Sequence, residues 1–364
     1  SRKMKESVPL LDCFEAPCKA GCPIHQDITT YLEHVSEGKY EEAMEVITEK
    51  NPLPFITGTI CAHNCMSKCT RNFYEDPVHI RNMKLLAAEN GYEAWLKKQG
   101  VPAVTKEGKA AVIGGGPAGM AAAYFLRRAG MDVTIFEQND ALGGVVRHVI
   151  PEFRIASSAI DKDAEILNTL GVHVELNTRV KSVDELKAEG FDKVILAVGA
   201  SKPGTLRLEE GDATNALEFL ADFKANNGEL NIGKNVVVIG GGNTAMDTAR
   251  AAKRTTGVEN VYLVYRRTKR FMPADAEELE MAIEDGVEFK ELLSPVKVID
   301  GKLTCKVMKL GDIDESGRRS VVETDEICEI AADTVIAAVG EKVPTKFYEA
   351  NRINVSERGK ALVN

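Results

Sequence analysis

Residues 110–138 constrain this chain more than any other stretch, because they read as a strand, a glycine turn, a helix and a second strand in one run. The short apolar run at residues 110–113 is typical of a strand buried on both faces of a parallel sheet. Gly114, Gly116 and Gly119 follow with G-x-G-x-x-G spacing. This spacing permits a tight turn, the close approach of a pyrophosphate and close packing of the next helix on the strand.

The helix that follows this turn begins near Pro117 and Ala118, and its first amides would attract an anion. A second strand is predicted at residues 131–136, and Glu137 stands at its end with Gln138 beside it. A carboxylate at that position accepts hydrogen bonds from a ribose. The order of all five features predicts a dinucleotide-binding unit.

Length and charge restrict the class of protein. The chain has 364 residues, more than one core usually holds, so two or three domains are expected. A net charge of -9 and the lack of a basic run argue against nucleic acid as a partner. The sequence shows neither a membrane-spanning apolar stretch nor a signal peptide, so we expect no membrane partner and a cytoplasmic location. Because no initiator Met is present, a processed form or a fragment is expected.

Six of the eight cysteines lie in the first 70 residues, which in a reducing compartment favours metal ligation over disulfides. The step from Cys22 to Pro23 is typical of iron-sulfur ligation. Zinc and unligated core thiols are the alternatives, although six thiols do not divide into four-coordinate zinc sites. His25 and His63 are expected to pack or face solvent. The candidate ligands are Cys13, Cys18, Cys22, Cys61, Cys65 and Cys69.

The segment after Glu137 carries a second set of candidate ligand contacts. Gly143 and Gly144 would allow a ligand to approach closely, and Arg147 and Arg154 could meet phosphate or flavin oxygens. Two solvated arginines beside a glycine turn are the alternative. Further strands are predicted at residues 172–176 and 193–198, the second closed by Gly199.

A second dinucleotide unit follows, with a strand at residues 235–239, a helix at 243–254 and a strand at 261–264. Residues 334–340 then repeat the pattern of 193–199, which suggests that one nucleotide domain is inserted into the other. The second strand ends in arginines instead of an acid, which favours a 2'-phosphate. The candidate residues of this unit are Gly240, Gly242, Asn243, Thr244, Arg266, Arg267, Arg270, Ala338 and Gly340.

The motifs GGGPAG with Glu137, GGVVRHVIPEFR, GGGNTAMD and YRR resemble the glutamate synthase small subunit, the N-terminal half of dihydropyrimidine dehydrogenase and the subunit named for selenate reductase. The resemblance implies an α/β fold with two Rossmann-like domains, one inserted in the other, after an α-helical [4Fe-4S] domain. It also implies that NADPH reduces FAD and that [4Fe-4S] clusters carry electrons to a partner domain or subunit. The implied domains are an iron-sulfur domain at 1–104, an FAD domain at 105–203 and 341–364, and an NADPH domain at 204–340.

The same resemblance implies ligands and departures. Val180 is implied as a further FAD contact. Leu10 falls where the family has its first cysteine, and Lys84 where it has a Gln or Glu ligand, so fewer than two fully cysteine-ligated clusters are expected. A Gly-Asp motif that binds FAD would lie beyond Asn364, so we expect weakened FAD retention.

Two rival functions share these motifs. A flavin disulfide reductase would need a C-x-x-C pair near the flavin, and neither Cys305 nor Cys328 has such a neighbour in sequence. Cys305 is expected to be a packed strand residue. A non-catalytic adaptor that binds dinucleotides is the second rival. We assign no catalytic side chain, because the flavin and the nicotinamide carry the chemistry.

Overall fold

The structure, a computed structural model, describes residues 15–200, 202–313, 319–356, 359 and 361–362. The chain forms two compact units, residues 1–101 and residues 102–364. Leu10 and Cys13 lie outside the described residues. In the part of the chain that the structure describes, no helix is long and apolar enough to cross a membrane.

The first unit is helical where it is described. Residues 27–50 form two helices, because Gly38, with φ +73°, turns the chain between them. Residues 80–97 form one long helix. The helices are α1 (Pro17–Ala20), α2 (Ile28–Ser36), α3 (Tyr40–Thr48), α4 (Pro54–Ile60), α5 (Asn64–Ser67) and α6 (Ile80–Lys97).

The core of this unit lies between α2, α3 and α6. Ile28 and Tyr31 of α2 pack with Ile47 of α3 and with Ile80 and Ala87 of α6. The Tyr31 hydroxyl donates to the carbonyl of Ile80 over 3.2 Å. Cys65 belongs to this buried cluster, and Cys18 and Cys22 pack against it. The thiols therefore border the core of the unit.

The second unit begins with a parallel four-stranded sheet. Its strand order is β3-β2-β1-β4, as expected for strands joined by crossover helices. The predicted strand at residues 172–176 is shorter and spans three residues. The elements are β1 (Lys109–Ile113), α7 (Pro117–Arg128), β2 (Asp132–Phe136), α8 (Val145–His148), α9 (Ser157–Thr169), β3 (His173–Glu175), α10 (Val183–Ala188) and β4 (Phe191–Leu196).

A separate five-stranded parallel sheet follows, with strand order β6-β13-β7-β8-β9. An antiparallel sheet of order β10-β11-β12 accompanies it, which the sequence indicated only through alternation at residues 303–310. The elements are β5 (Lys202–Pro203), β6 (Thr214–Asn215), α11 (Ala216–Ala225), β7 (Asn235–Ile239), α12 (Asn243–Arg254), β8 (Asn260–Tyr265), α13 (Ala276–Glu284), β9 (Glu288–Glu291), β10 (Leu293–Ile299), β11 (Lys302–Ile313), β12 (Arg319–Ala331) and β13 (Thr334–Ala337).

The chain leaves and re-enters the region of the first sheet through one short strand pair. β14 (Glu341–Lys342) pairs antiparallel with β5. The last helix, α14 (Thr345–Ala350), then packs back on the first sheet, where Phe347 contacts the core that contains Ile113. Asn351 accepts a hydrogen bond from the amide of Val183 over 2.6 Å. The strand pair lies where the sequence places the boundaries of an insertion, and the boundaries themselves stay a prediction.

Candidate functional site

The glycine turn after β1 is shaped by contact between its own glycines. Gly114 has φ +106°, a conformation that L side chains rarely adopt. A Cβ at Gly119 would lie 1.9 Å from the carbonyl oxygen of Gly114, so α7 starts directly on the turn. Gly116 is the N-cap of α7 and Pro117 its first residue, with Ala118 next. The first amides of α7 are thereby held at the end of β1, in the geometry that binds a pyrophosphate.

Glu137 is fixed at the end of β2 by hydrogen bonds to this turn. Its side chain is 4% exposed. Oε2 accepts from the amide of Gly115 over 2.7 Å, and Oε1 accepts from the backbone and side-chain nitrogens of Asn139, each over 2.8 Å. A carboxylate offers about four acceptor positions, so one remains for a ligand hydroxyl. The neighbouring Gln138 is exposed.

Gly143 and Gly144 approach the turn itself. The amide of Gly143 donates to the carbonyl of Gly115 over 2.8 Å, and a Cβ at Gly144 would lie 2.8 Å from the Cα of Gly116. Gly143 and Gly144 therefore lie directly against the glycine turn that follows β1. Elsewhere at this sheet, Gly199 follows β4 with φ +69°, and Val180 is half-buried against the core of the first sheet.

Arg147 and Arg154 have protein partners that the sequence did not indicate. Arg147 forms an ion pair with Asp161, and its Nε donates to the carbonyl of Leu142 over 2.5 Å. Arg154, whose side chain is 13% exposed, lies between Asp247 of α12 and Glu278 of α13. Its guanidinium faces two carboxylates, and its contact with phosphate or flavin oxygens stays a prediction.

The Arg154 contacts form a buried charge cluster with Asp247 and Glu278. Arg154 Nη2 donates to Glu278 Oε1 over 2.5 Å. Arg154 Nε lies 2.8 Å from Asp247 Oδ1. The two groups are not oriented for a hydrogen bond, so this contact is an ion pair. Two carboxylates face one guanidinium, which leaves the cluster with excess negative charge. The pKa of Asp247 is raised to about 6, chiefly because burial penalises its charged form; Glu278 adds to this shift, while Arg154 and Arg250 oppose it.

The second glycine turn opens into a cavity of about 570 Å³ at the carboxyl ends of β7, β8 and β13. The amide of Gly240 donates to the carbonyl of Val264 over 3.1 Å, and the amide of Ala338 donates to that of Ile239 over 2.8 Å. These bonds hold the turn against both neighbouring strands. The predicted residues that line the cavity are Gly240, Gly242, Thr244, Arg266, Arg267, Ala338 and Gly340.

Three arginines line this cavity. Arg266 and Arg267 line it after β8, and Arg267 Nε donates to the carbonyl of Arg319 over 2.9 Å. Arg207 also lines the cavity, and sequence reasoning missed it because no motif surrounds it. Arg270 lies outside the lining and faces the ring of Phe271, 6.0 Å from its centroid.

Two polar side chains at the start of α12 are engaged with neighbouring elements. Asn243 accepts a hydrogen bond from the amide of Asp275 over 3.1 Å. Thr244 donates to Glu341 over 3.0 Å. Glu341 also lines the cavity, and its carboxylate offsets part of the positive charge there.

The described cysteines of the first unit border irregular backbone. Cys61 follows α4 in extended conformation, Cys65 lies in the one-turn α5, and Cys69 is extended again. The three thiols therefore do not share one face of a continuous helix. Cys18 lies in α1 and Cys22 in the turn after it. Seven described cysteines, these five with Cys305 and Cys328, are free.

Burial and neighbouring thiols raise the pKa of two cysteines of the first unit, Cys18 and Cys65. Burial raises the pKa of Cys18, and nearby Cys69 and Cys22 raise it further. Burial also raises the pKa of Cys65 to about 11, where Cys61 and Cys22 add to the shift and Lys84 opposes it. Among the described residues, no three side chains of His, Cys, Asp or Glu are placed to hold a single metal ion. Cysteine thiolates are the usual ligands of iron-sulfur clusters, so these side chains are of the type that such a cluster requires.

Cys305 and Cys328 lie opposite each other on β11 and β12. Cys305 is 0% exposed, and burial raises its pKa to about 12. Both thiols belong to the core between the antiparallel sheet and the strands β7 and β8. The expectation of a packed strand cysteine is confirmed for Cys305. That Cys305 and Cys328 lie opposite each other on neighbouring strands could not be read from two distant positions in sequence.

Residues 108–364 match the family model described as pyridine nucleotide-disulphide oxidoreductase. The chain belongs to this family. Residues 1–95 match a second model, described as dihydropyrimidine dehydrogenase domain II with a 4Fe-4S cluster. The predicted family, fold class, oxidoreductase class and cofactor types are thereby confirmed: FAD, NAD(P)H and a 4Fe-4S cluster.

Among curated relatives of this pyridine nucleotide oxidoreductase, YgfK of Escherichia coli strain K12 is 42% identical over 98% of this chain and 35% of its own length. The glutamate synthase [NADPH] small chain of the same strain is 32% identical over 91% of this chain and 75% of that protein. The solved structure of FprA, a Mycobacterium tuberculosis oxidoreductase, is 21% identical, with a TM-score of 0.58 over 71% of this chain and 75% of that one. The chain thus spans about a third of YgfK, and the FprA likeness concerns the fold alone.

The buried charge cluster generates a prediction about pH. The pKa of Asp247 is raised from 3.8 to about 6 on folding, so its contribution to stability is fully present below pH 4 and is lost as the pH rises through 6. Asp247→Asn removes this loss. Between pH 4 and pH 7, the free energy of unfolding of the variant should rise relative to wild type by about 2–3 kcal/mol. Urea denaturation at both pH values, followed by circular dichroism, measures this difference.

The control is Asp222→Asn, which changes an exposed carboxyl on α11. It should leave the pH dependence as in wild type. If the free energies of unfolding of Asp247→Asn and wild type differ by the same amount at pH 4 and at pH 7, burial does not raise the pKa of Asp247.

Proposed function

We propose that this chain transfers electrons from NADPH, through FAD and [4Fe-4S] clusters, to a partner domain or subunit of a larger enzyme. One observation carries the proposal: two glycine turns on two separate parallel sheets occur in one chain with a helical unit whose core is bordered by thiols. One turn would serve each dinucleotide, and the thiols would ligate the clusters that receive the electrons. The location we propose is the cytoplasm, where thiols stay reduced.

The FAD site is proposed at the turn after β1. The amides at the start of α7 would bind the pyrophosphate, and Glu137 would accept from the adenosine ribose while Gly115 and Asn139 keep its carboxylate in place. Gly143 and Gly144 would close the other side of the turn. Arg147 follows these two glycines and is bound to Asp161 and to the carbonyl of Leu142. It would have to give up one of these partners to contact a phosphate.

The NADPH site is proposed at the cavity beside β7, β8 and β13. Gly240 and Gly242 would admit the pyrophosphate, and Thr244 would lie beside it. Arg266 and Arg267 would bind a 2'-phosphate, with Arg207 as a third positive charge. Since an acid at the end of this strand would repel that phosphate, the arginines support NADPH over NADH.

When bound, the nicotinamide and the flavin supply the hydride transfer and the conversion to single electrons. The chain's residues hold the two dinucleotides, exclude water and supply charge. No side chain is assigned as a general acid or base. Cys18, Cys22, Cys61, Cys65 and Cys69 are the proposed cluster ligands, together with Cys13, which lies outside the described residues.

A partner is proposed because the chain covers only part of several relatives. It spans 35% of YgfK and 53% of a Geobacter sulfurreducens protein named NADPH-Fe(3+) oxidoreductase subunit beta. The terminal acceptor would belong to the remaining part or to another subunit. The name of the Geobacter protein also supports NADPH as the donor.

Anaerobic titration with NADPH tests the proposed function. In protein reconstituted with FAD and iron-sulfur clusters, stoichiometric NADPH should bleach the flavin absorbance, because the chain holds donor and acceptor in one unit. An adaptor that binds dinucleotides without turnover would bind NADPH and leave the flavin oxidised. That result would contradict the proposal.

The arginines at the cavity predict cofactor preference. Charge-assisted hydrogen bonds are worth about 1.5–3 kcal/mol, reduced by exposure, so kcat/KM for flavin reduction should favour NADPH over NADH by about 10- to 100-fold. The double variant Arg266→Ala with Arg267→Ala should lower this ratio at least about tenfold. Steady-state kinetics with both cofactors measures the ratio.

Arg270→Ala is the matched control, since it removes an arginine of the same segment that lies outside the cavity lining. It should keep the wild-type preference. If the double variant keeps that preference too, Arg266 and Arg267 do not bind the 2'-phosphate.

A further inference from the structure

A short segment of the chain connects the first glycine turn with the second parallel sheet. We call residues 145–154 the bridging segment. The two glycines before it lie against the turn after β1, and a Cβ at Gly143 would lie 2.8 Å from Ile160 Cγ2 of α9, the helix that follows the segment. Both ends of the bridging segment are therefore held beside the first glycine turn.

The bridging segment packs on helices of the second sheet. The ring of Phe153 meets the ring of Phe223 of α11 edge to face, with their centroids 6.4 Å apart. The guanidinium of Arg254, the last residue of α12, lies over the same Phe153 ring, 4.3 Å from its centroid. Lys224 of α11 donates to the carbonyl of Ile150 over 3.1 Å. The segment is thus bound to two helices of the second sheet.

Arg154 ends the bridging segment with buried ionic contacts. Its Nη2 donates to Glu278 Oε1 over 2.5 Å, and its Nε lies 2.8 Å from Asp247 Oδ1. The three side chains are at most 13% exposed. Removing one partner from such a group leaves an uncompensated buried charge, so the group favours one arrangement. Apolar packing is non-directional and would fix the orientation of the segment less closely.

The two carboxylates lie close to the second glycine turn. Asp247 is about one helical turn beyond Asn243, the first residue of α12. Glu278 lies in the first turn of α13, and the amide of Ala274, just before that helix, donates to the carbonyl of Gly241 over 3.0 Å. Gly241 lines the proposed NADPH cavity. A side chain bound to both carboxylates is therefore held in place relative to that cavity.

We propose that Arg154 is a positioning residue for hydride transfer, which through Asp247 and Glu278 holds the second glycine turn in a fixed position relative to the first. The inference rests on the proposed function, in which NADPH loses one hydride to become NADP+ and FAD gains that hydride. Arg154 takes no part in bond making and lies outside the cavity lining of the described residues. Its direct contact with FAD is the alternative, and the test separates the two roles.

The test compares four variants of the reconstituted chain. Arg154→Met removes the charge, and Arg154→Glu places a third carboxylate in the group. The charge-swapped variant, Arg154→Glu with Glu278→Arg, restores opposite charges with their positions exchanged. Arg128→Met is the control, because Arg128 is an exposed arginine whose hydrogen bond to the Tyr124 hydroxyl stays within α7.

FAD and iron per chain are measured first, and circular dichroism checks the fold. Anaerobic rapid mixing at increasing NADPH concentration then gives the limiting rate of flavin bleaching and the Kd of NADPH. A misplacement of about 1 Å can slow a reaction about 100-fold, so Arg154→Met and Arg154→Glu should lower the limiting rate about tenfold or more. The Kd of NADPH should stay within about twofold, since no cavity contact is removed.

The charge-swapped variant should regain most of the limiting rate, and Arg128→Met should match wild type. A carboxylate at position 154 cannot replace a cation that binds an FAD phosphate, so this rescue separates positioning from contact with FAD. A charge-swapped variant that is folded and binds both dinucleotides, yet is as slow as Arg154→Glu, would overturn the inference.

Hydrogen exchange measured by mass spectrometry on protein without added cofactors gives a readout that does not depend on activity. Amides of the bridging segment and of the start of α13 should exchange faster in Arg154→Met than in wild type, because their mutual contact is weakened. Arg128→Met should leave the exchange of both regions unchanged.

Two results with Arg154→Met would also contradict the inference. One is a limiting rate and an exchange pattern that both equal those of wild type. The other is loss of FAD from Arg154→Met that the charge-swapped variant shares, which would indicate direct contact with FAD. Both leave the proposed function intact, whereas failure of NADPH to bleach the flavin of the wild-type chain would contradict the proposed function itself.

Discussion

The packing of residues 149–154 against the core of the second parallel sheet is the contact on which the arrangement of the two dinucleotide units depends. Val149 and Phe153 pack against that core, and Arg154 ends the segment between Asp247 and Glu278. Arg250 and Arg254 lie over the ring of Phe153, 5.1 Å and 4.3 Å from its centroid. Hydride transfer requires the nicotinamide ring to meet the flavin ring. The two parallel sheets that would hold these dinucleotides must therefore keep a fixed relative position.

This packing has an electrostatic cost. Two carboxylates and one guanidinium share a site nearly closed to solvent, and the pKa of Asp247 is raised because burial penalises its charge. Buried ion clusters contribute little net stability, but removing one partner leaves an unpaired buried charge. The cluster therefore acts as a geometric constraint between α12, α13 and the segment that follows the first glycine turn.

Local patterns predicted the parts of the site that local chemistry determines. The strand, the three glycines and Glu137 could be read from 29 residues, because each position answers a backbone requirement within that stretch. The second glycine turn and the helix after it were predicted for the same reason. The arginines after β8 were recognised because they replace an expected acid at a defined position.

Contacts between distant residues could not be predicted. Arg154 was expected at a ligand because the sequence shows a cation near a glycine turn, whereas its partners lie 93 and 124 positions away. Arg207 reaches the cavity without a motif of its own. Lys84 could be aligned with a ligand position, but its burial depends on how α4 packs on α6.

The order of electron transfer is the central claim, and rapid mixing of reconstituted protein with NADPH under anaerobic conditions tests it most directly. Flavin absorbance is followed during the reaction, and samples frozen at successive times are examined for the paramagnetic signal of reduced clusters. We expect the flavin to be reduced first and the cluster signal to follow, with no cluster reduction in protein that lacks FAD. Cluster reduction by NADPH in the flavin-free protein, or before the flavin is reduced, would contradict the path from nicotinamide through flavin to iron and sulfur.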